Sequence, residues 1–331
     1  MQEFKALLVE ELADKQFSAS IVQRVISDLP EGDVLIQVQY SSLNFKDALS
    51  ASGNKGVTRN YPHTPGIDAA GIVLASDAKQ FAPGEEVIVC GYDLGMNTSG
   101  GFGQGIRVPA EWVILKPEGL DLRDTMILGT AGFTAAICIE KLIANGVAPD
   151  SGEVLVTGAT GGVGAVAVAL LSKLGYSVVA STGKAEQHEF LHTLGAKRVI
   201  DRKELMEESR RPLLKEQWTG AIDVVGGATL FNIIKGLNYG GSVACCGLVG
   251  SPVFDATVFP FILRGVNLLG VDSVELPLTT KKRLWNLLGS DWKLDSLESM
   301  SNEIGFDELV TGLDAVLGGK AVGRMVLNLN S

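Results

Sequence analysis

The first third of the chain alternates short apolar runs with turn residues, a pattern typical of β-strands. Four runs rich in β-forming residues lie at 6–9, 33–40, 70–74 and 86–90. Proline and glycine clusters separate these runs and predict turns. We therefore expect an all-β unit with irregular connections here, and the glycine-rich segment 95–105 is expected to form a loop over one face of a barrel.

Near Leu128 the pattern changes to alternating strands and helices. Segment 130–144 has apolar residues at helical spacing and ends at Asn145-Gly146, a common helix stop. The predicted strands that follow are 154–157, 177–180, 198–200, 221–225, 242–246 and 267–271, and the predicted helices between them are 163–174 and 184–194. This rhythm predicts a doubly wound parallel sheet and an α/β fold class. A helix-rich tail then leads to a strand at 324–329, which we expect to return to the first domain.

Length, charge and cysteine content limit the classes of protein that fit. A chain of 331 residues is too long for one ordinary core, so two domains are expected. With 28 basic and 38 acidic residues the net charge is −10, which argues against a nucleic-acid partner. Segment 1–5 does not begin a signal peptide, and no stretch approaches the roughly 18 apolar residues of a membrane span.

The cysteines point to a reducing compartment. The four residues, Cys90, Cys138, Cys245 and Cys246, contain no C-x-x-C pair. We expect Cys245 and Cys246 to be buried thiols on opposite faces of a strand. The sequence is therefore interpreted as a soluble cytoplasmic protein without a membrane or nucleic-acid partner.

Segment 154–164 carries the strongest chemical signal in the chain. An apolar strand runs into a glycine turn, and a helix opens directly after it. Gly161 lets the backbone approach a pyrophosphate, Gly164 allows close helix–strand packing, and Ala159 takes the place of the first glycine of G-x-G-x-x-G. A merely tight turn is the alternative, but the βαβ context favours a dinucleotide site at the helix N-terminus.

The end of the next strand selects the cofactor. NAD enzymes place a carboxylate there for the ribose hydroxyl, whereas this chain has Ser181, Thr182, Gly183 and Lys184. Hydroxyls and an ammonium suit a 2′-phosphate, and Arg202 at the end of the third strand can add a second cation. We therefore predict NADPH, although Lys184 could instead simply begin a solvated helix.

Several motifs along the whole chain together resemble one enzyme superfamily. These motifs are 41–47, 65–71, 129–135, 158–164, 238–241, 261–266 and 269–274. The sequence resembles the medium-chain dehydrogenase/reductase superfamily, and within it the zinc-free branch of quinone oxidoreductases and acrylyl-CoA reductases (NADPH). The resemblance implies a GroES-like β-barrel catalytic domain from 1–127 and 272–331, and a Rossmann NADPH-binding domain from 128–271.

The resemblance also implies a set of cofactor contacts. They carry over to Phe45, Thr160, Gly161, Gly162, Val163, Thr182, Gly183, Lys184, Arg202, Leu248, Ile262, Ser273 and Asn330. Phe45 departs from the family, which often has Tyr there, so a role for that hydroxyl cannot carry over.

A metal site is not expected. Zinc enzymes of the superfamily have ligands at positions that match Asn44, Ile67 and Ala131, and none of these side chains can ligate as a thiolate or imidazole. The four-cysteine structural lobe is also missing. His188 and His192 are spaced i and i+4 and could bind a metal, but a helix surface is the favoured interpretation.

Chemistry without a Lewis acid favours reduction of a conjugated C=C bond over that of a simple ketone. Hydride at the β-carbon leaves an enolate oxygen that needs hydrogen-bond donors, and the α-carbon then takes a proton. The candidate catalytic residues are Asn44, Lys46, Asp47 and Tyr92, although Lys46 and Asp47 could instead pair with each other. Asp68 is expected to organise the turn at 65–66.

The predicted activity is NADPH-dependent reduction of an enoyl-CoA, such as acryloyl-CoA. The candidate anchors for CoA phosphates are Arg59, Arg107, Arg264 and Arg324. The alternatives are a broad reductase of quinones, alkenals and enones, and a non-catalytic NADPH-binding or nucleic-acid-binding protein.

The apolar edge strand at 267–271, preceded by the apolar run 258–263, predicts a homodimer. The alternative is that the C-terminal helices cover this edge within one chain.

Overall fold

The computed structural model describes residues 2–206 and 211–330. The chain divides into two compact units. The first unit comprises 1–130, 274–293 and 297–331, and the second comprises 131–273 and 294–296. Each unit is built around its own sheet.

The helices and strands follow one another in a regular order. The strands are β1 Glu3–Glu11, β2 Phe17–Val25, β3 Val34–Ser42, β4 Asp68–Ser76, β5 Glu86–Cys90, β6 Gly105–Val108, β7 Val113–Leu115, β8 Glu153–Val156, β9 Ser177–Thr182, β10 Arg198–Asp201, β11 Trp218–Asp223, β12 Leu237–Cys245, β13 Asn267–Gly270, β14 Ser301–Ile304 and β15 Arg324–Asn328. The helices are α1 Phe45–Ala51, α2 Leu122–Ala144, α3 Gly162–Lys173, α4 His188–Thr193, α5 Gly227–Gly236, α6 Phe259–Arg264, α7 Leu278–Leu288 and α8 Phe306–Leu317.

The first unit is built on a mixed sheet with the order β14-β15-β3-β4-β5-β7, in which β6 also pairs with β3. β1 and β2 form a separate antiparallel pair. Strand β15 returns to the first unit and pairs antiparallel with β3, Val326 lying opposite Ser42. The prediction that the last strand rejoins the first domain is therefore confirmed. The core of this unit is formed by fully buried aliphatic side chains such as Leu7, Val34 and Val87.

The second unit is a parallel sheet with the order β10-β9-β8-β11-β12-β13. Counted within the unit this is the doubly wound order 3-2-1-4-5-6, as the strand–helix rhythm predicted. Leu155, Val179, Ala221 and Val243 are fully buried, because such a sheet is covered on both faces. All six strands end at one edge, and the strand order reverses between β8 and β11, where ligands of such sheets bind.

Helix α2 begins eight residues earlier than predicted, at Leu122 rather than residue 130. Gly129 interrupts it with a left-handed φ of 51° and a ψ of −159°. By length and composition alone this helix is long and apolar enough to cross a membrane, contrary to the expectation that no stretch approaches a membrane span. Its apolar stretch is 78% buried in the protein, as in the core helix of a soluble protein.

Two local predictions are corrected by the structure. Segment 184–194 is a short 3-10 turn followed by α4, not one continuous helix. Cys245 is the last residue of β12 and Cys246 lies beyond the strand, so both are only half-buried and the prediction of two buried thiols is wrong.

Candidate functional site

The glycine turn lies at the carboxyl edge of the parallel sheet, between β8 and α3. Gly158 has a φ of 54°, a conformation that favours glycine. A Cβ on Gly164 would overlap the carbonyl oxygen of Gly158, so the helix packs directly on the turn. A Cβ on Gly161 would meet only that oxygen, at 3.3 Å, and the outer side of the turn is open. A phosphate group can therefore approach the turn from the open side of Gly161, next to the start of α3.

The end of β9 lies beside this turn. Ala159 N donates to Ser181 O at 3.1 Å, and the hydroxyl groups of Thr160 and Thr182 are 3.4 Å apart. Lys184 N donates to Thr182 Oγ1 at 3.1 Å. The turn after β8 and the end of β9 therefore bring together Thr160 and residues 181–184, as expected for two adjacent parallel strands.

Two cations border the end of β9. A Cβ on Gly183 would lie 2.6 Å from Nε of Arg202, so the Arg202 side chain lies against bare backbone. Burial lowers the pKa of Lys184, and the nearby Glu186 charge opposes that shift. The carboxylate of Asp201 faces its own turn and accepts from Lys203 N at 2.8 Å. A strand end with hydroxyls and two cations, and without a carboxylate on 181–184, fits the 2′-phosphate of NADPH.

The far strands hold the other predicted cofactor residues. Leu248 and Ser273 follow β12 and β13 at the same edge, and Ile262 is exposed on α6. Phe45 and Asn330 lie in the first unit, at the start of α1 and after β15.

Asp223 at the end of β11 was not predicted from the sequence. It is buried and accepts from Thr157 Oγ1 and Gly226 N, both at 2.7 Å. Burial raises the pKa of Asp223. Its hydrogen bonds tie β8 to the turn before α5, beside the point where the strand order reverses.

A buried polar cluster lies at the start of α1 in the first unit, and it includes the fully buried Asp47. Oδ1 of Asp47 accepts from Ile67 N at 2.8 Å, and Oδ2 accepts from the backbone and side-chain nitrogens of Asn44 at 2.9 and 3.2 Å. Burial and the neighbouring charge of Asp68 raise the pKa of Asp47 to about 7. The carboxyl group therefore caps α1 and changes charge near neutral pH.

Asp68 is the second carboxylate of the cluster, and it binds the break in α2. Because Gly129 interrupts the helix, Thr130 N leaves the helical ladder and donates to Asp68 Oδ2 at 2.9 Å. Thr130 Oγ1 and Ser42 Oγ each add a bond of 2.6 Å, and Asn44 Nδ2 adds one of 2.8 Å. The expectation that Asp68 organises the turn at 65–66 is wrong, because its oxygens are directed to Thr130 and Ser42 instead.

Arg324 completes the cluster with a buried cation. Its Nε donates to Ile127 O at 2.8 Å, and Nη1 lies 3.3 Å from both Leu43 O and Asn44 Oδ1. In the part of the chain that the structure describes, its buried Nη2 has no hydrogen-bond partner. Burial lowers the pKa of Arg324, while the charges of Asp68 and Asp47 oppose this shift.

Two of the four candidate anchors for CoA are directed into the protein. Arg324 is 2% exposed. Arg264 donates to Lys235 O at 2.9 Å and to Leu214 O at 2.7 Å. Arg59 is exposed and Arg107 is half-buried, so these two keep the access that a phosphate ligand requires.

Asn44, which the resemblance to the superfamily matches to a zinc-ligand position, belongs to the buried cluster. Both polar atoms of Asn44 are used inside the protein, Nδ2 by the two carboxylates and Oδ1 by Arg324. Across residues 2–206 and 211–330, no group of three or more His, Cys, Asp or Glu side chains is placed to hold a metal. Asn44 therefore orients carboxylates within this cluster.

The remaining catalytic candidates, Lys46 and Tyr92, lie apart from the carboxylates. Lys46 Nζ is 3.9 Å from Met96 Sδ, and Asp47 is bonded to Asn44 and Ile67, so the alternative of a Lys46–Asp47 pair is wrong. Tyr92 is half-buried and stacks on Trp112, with centroids 5.7 Å apart. Burial, together with the charges of Glu275 and Glu111, raises the pKa of Tyr92.

Sequence reasoning missed the links that organise the cluster. The sequence predicts other roles for Asp68 and Arg324, and it gives no signal for Lys281, whose ammonium group lies over the Tyr92 ring. One signal was available for Asp68: a glycine inside a helical pattern, Gly129, often marks a functional break.

Comparisons with known proteins agree with this architecture. Residues 30–118 match the family described as alcohol dehydrogenase GroES-like domain, and residues 162–289 match the family described as zinc-binding dehydrogenase. These matches confirm the predicted pairing of a GroES-like domain with a Rossmann-type sheet.

Close relatives extend over nearly the whole chain. Acrylyl-CoA reductase AcuI from Ruegeria pomeroyi is 43% identical over 330 residues, covering 99% of this chain and 100% of AcuI. The crystal structure of YhdH from Escherichia coli K-12 with bound NADPH is 45% identical, with a TM-score of 0.95, covering 98% of this chain and 100% of YhdH. The crystal structure of yhfP from Bacillus subtilis with NAD bound is 43% identical, with a TM-score of 0.96, covering 99% of this chain and 100% of yhfP.

Proposed function

The chain belongs to the medium-chain dehydrogenase/reductase family, and from this premise we propose that it is an NADPH-dependent reductase of activated C=C bonds. The substrate class is an enoyl-CoA thioester such as acryloyl-CoA. The observation that carries the proposal is the end of β9, where Lys184 and Arg202 border a strand end without a carboxylate. The relatives add support, since AcuI is named an acrylyl-CoA reductase and YhdH binds NADPH.

The residues of the second unit bind and orient the cofactor. Thr160, Gly161, Gly162 and Val163 present the amides at the start of α3 to the pyrophosphate. Ser181 to Lys184, with Arg202, hold the 2′-phosphate. The resemblance adds contacts from Leu248, Ile262 and Ser273, and from Phe45 and Asn330 of the first unit. When bound, NADPH supplies the hydride that the β-carbon of the substrate receives.

The first unit supplies the groups that act on the substrate. Negative charge develops on the carbonyl oxygen of the substrate and is stabilised by hydrogen-bond donors. Of the four catalytic candidates, Tyr92 and Lys46 are the two whose polar groups do not bond to the carboxylate cluster. Asn44 and Asp47 cap α1 and thereby position Phe45 and Lys46 at its start. The α-carbon takes its proton from a side chain or from water.

The donor set around Asn44 supports zinc-independent chemistry. The resemblance matches Asn44, Ile67 and Ala131 to the ligand positions of the zinc enzymes. The Asn44 carboxamide already donates to two carboxylates, and the side chains of Ile67 and Ala131 have no ligand atom, so this set does not fit zinc. Because no strong Lewis acid stabilises an alkoxide here, reduction of a conjugated double bond is the favoured reaction.

The alternative function is broad reduction of quinones, alkenals and enones. The two readings share the cofactor site and differ in whether the CoA moiety contributes to binding. Arg59 and Arg107 are the two remaining arginine candidates for its phosphates. A non-catalytic NADPH-binding protein is the third and least favoured possibility, and the net charge of −10 disfavours a nucleic-acid partner.

We further propose a homodimer in the cytoplasm, without a membrane partner. Strand β13 ends the strand order of its sheet, and α6 before it leaves Ile262 68% and Leu263 56% exposed. Pairing of two β13 edges around a two-fold axis would cover both the strands and these side chains.

One assay separates these possibilities. Consumption of NADPH is measured with acryloyl-CoA, crotonyl-CoA, free enones and quinones as substrates. A kcat/KM for acryloyl-CoA well above those of free enones supports the proposal, and equal values favour the broad reductase. NADPH binding without turnover of any of them would contradict both.

A further inference from the structure

Tyr92 has a backbone conformation that residues other than glycine rarely adopt. Strand β5 ends at Cys90, and Gly91 (φ 82°) and Tyr92 (φ 53°) follow in the left-handed region. For a bulky L-residue this conformation is unfavourable because Cβ crowds the backbone, so the surrounding contacts must hold it. Such outliers concentrate where a side chain has to be aimed.

The ammonium group of Lys281 provides those contacts. Lys281 lies on α7 and is 1% exposed. Its Nζ donates to Cys90 O at 3.0 Å and to Val274 O at 2.8 Å, and it lies 3.4 Å from the centroid of the Tyr92 ring. Val274 O also accepts from Tyr92 N at 3.2 Å. One buried cation thus contacts the end of β5, the Tyr92 ring and the acceptor of the Tyr92 amide.

The other neighbours of Tyr92 fix the plane of its ring and leave its hydroxyl group loosely bound. Trp112 stacks on the ring with an interplanar angle of 15°. The hydroxyl group lies 3.5 Å from Leu276 O, at the limit of a hydrogen bond. A stronger acceptor, such as the oxyanion that develops on a substrate, would therefore replace Leu276 O as the partner of this hydroxyl group.

A buried ammonium group is less favourable in a protein interior than an apolar group of the same size. Removal of the charge from water is unfavourable, and apolar residues of similar volume often replace even buried ion pairs without loss of stability. Its use here is specific: a cation attracts both the carbonyl oxygens and the face of the aromatic ring.

We propose that Lys281 is a positioning residue, which holds Tyr92 in its left-handed conformation so that the phenolic hydroxyl keeps one fixed position toward the carbonyl oxygen of the substrate. The inference rests on the proposed function, in which Tyr92 donates to that oxygen. It assigns Lys281 no contact with the substrate or the cofactor.

A double-mutant cycle of Lys281→Met and Tyr92→Phe tests this positioning role. Tyr92→Phe is expected to lower kcat for acryloyl-CoA about a hundredfold, the effect of losing one oxyanion donor. Lys281→Met is expected to lower kcat about tenfold or more, with the Kd for NADPH, measured by cofactor fluorescence, within about twofold of wild type. The double variant is expected to be no slower than Tyr92→Phe, because Lys281 acts through the hydroxyl group. Additive losses in the double variant would overturn the proposal.

Two matched controls distinguish positioning from general damage. Lys282→Met removes the neighbouring, exposed ammonium of α7 and is expected to leave kcat unchanged. Lys235→Met removes a buried ammonium over the Phe231 ring in the second unit, and is expected to affect stability without the coupling to Tyr92. If Lys281→Met does not fold, Lys281→Gln provides a neutral, shorter side chain that keeps two N–H donors, and the same cycle decides.

A spectroscopic measurement tests the inference even without turnover. In protein labelled with fluorotyrosine, Tyr92→Phe identifies the resonance of Tyr92 among those of the five tyrosines. This resonance is expected to shift or broaden in Lys281→Met and to remain in place in Lys282→Met. An unchanged resonance would refute the positioning role, whereas failure of the wild-type enzyme to reduce any of the substrates would refute the proposed function alone.

Discussion

Replacement of Asp47 by asparagine is expected to remove a specific pH dependence of stability. Burial and the Asp68 charge raise the pKa of Asp47 from 3.8 to about 7 in the folded protein. The folded chain therefore holds this proton more tightly than the unfolded chain does. The stability that the proton provides is fully present below about pH 4, and it is lost as the pH rises through about 7.

The size of the effect follows from the shift. A difference of about three pKa units at about 1.4 kcal/mol per unit corresponds to up to about 4 kcal/mol, which wild type loses between about pH 4 and pH 7. The carboxamide of the Asp47→Asn variant cannot titrate. Its single oxygen cannot accept from both Ile67 N and Asn44 N, so one of these donors loses its partner. This loss is expected to lower the free energy of unfolding by about 1–3 kcal/mol at every pH. The variant is thus expected to be less stable than wild type at about pH 4, and as stable or more stable above about pH 7.

Urea unfolding at a series of pH values, followed by tryptophan fluorescence and circular dichroism, measures this difference. Trp112, Trp285 and Trp292 belong to the first unit and report on its unfolding. Asp77→Asn, which neutralises an exposed carboxylate of the same unit, is the matched control and is expected to track wild type. If Asp47→Asn differs from wild type by the same free energy at about pH 4 and at about pH 7, the reasoning about its buried charge is refuted.

Four further predictions concern the helix break, the cofactor, the metal and the assembly. Gly129→Ala places a Cβ 2.5 Å from Ser42 Oγ and 2.6 Å from Asp68 Oδ2, at a position with a left-handed backbone conformation. The substitution is therefore expected to lower the free energy of unfolding, measured by urea titration, by about 2 kcal/mol or more. Lys184→Ala and Arg202→Ala are each expected to weaken NADPH binding about tenfold to a hundredfold and NADH binding far less; equal losses for both cofactors would argue against a 2′-phosphate site. Activity is expected to survive chelators, and one equivalent of tightly bound zinc whose removal abolishes turnover would contradict the zinc-independent reading. Light scattering at micromolar concentration is expected to show a dimer that Leu269→Lys splits or makes insoluble, whereas a 34.9 kDa species from the unaltered chain would refute the assembly.

The nucleotide-binding unit was predictable because its signals are local. Strand β8, its glycine turn and α3 follow one another within about twenty residues, and each has the hydrophobic period of its own structure. The parallel arrangement of the remaining strands follows from the regular βα alternation and the fixed handedness of its crossovers.

The first unit was less predictable because its organisation depends on distant pairings. Strand β2 was missed because none of its residues is buried, and β7 and β14 were missed because they have only three and four residues. The bond from Thr130 to Asp68 joins residues 62 positions apart, and that from Arg324 to Asn44 joins residues 280 apart. Periodicity along the chain has no information on such contacts, so Asp68 was assigned to the turn next to it in sequence.

The buried cluster explains the asparagine at position 44, which the resemblance to the superfamily matches to a zinc ligand. An amide at position 44 supplies N–H groups to two carboxylates at once, which a thiolate or imidazole ligand could not do. Arg324 provides one positive charge to face them, so the cluster is neutral when Asp47 is protonated and both Asp68 and Arg324 are charged. Since Asp47 also caps α1, loss of its proton adds a buried charge at the helix that presents Phe45 and Lys46. Titration of Asp47 therefore makes the start of α1 sensitive to pH near neutrality.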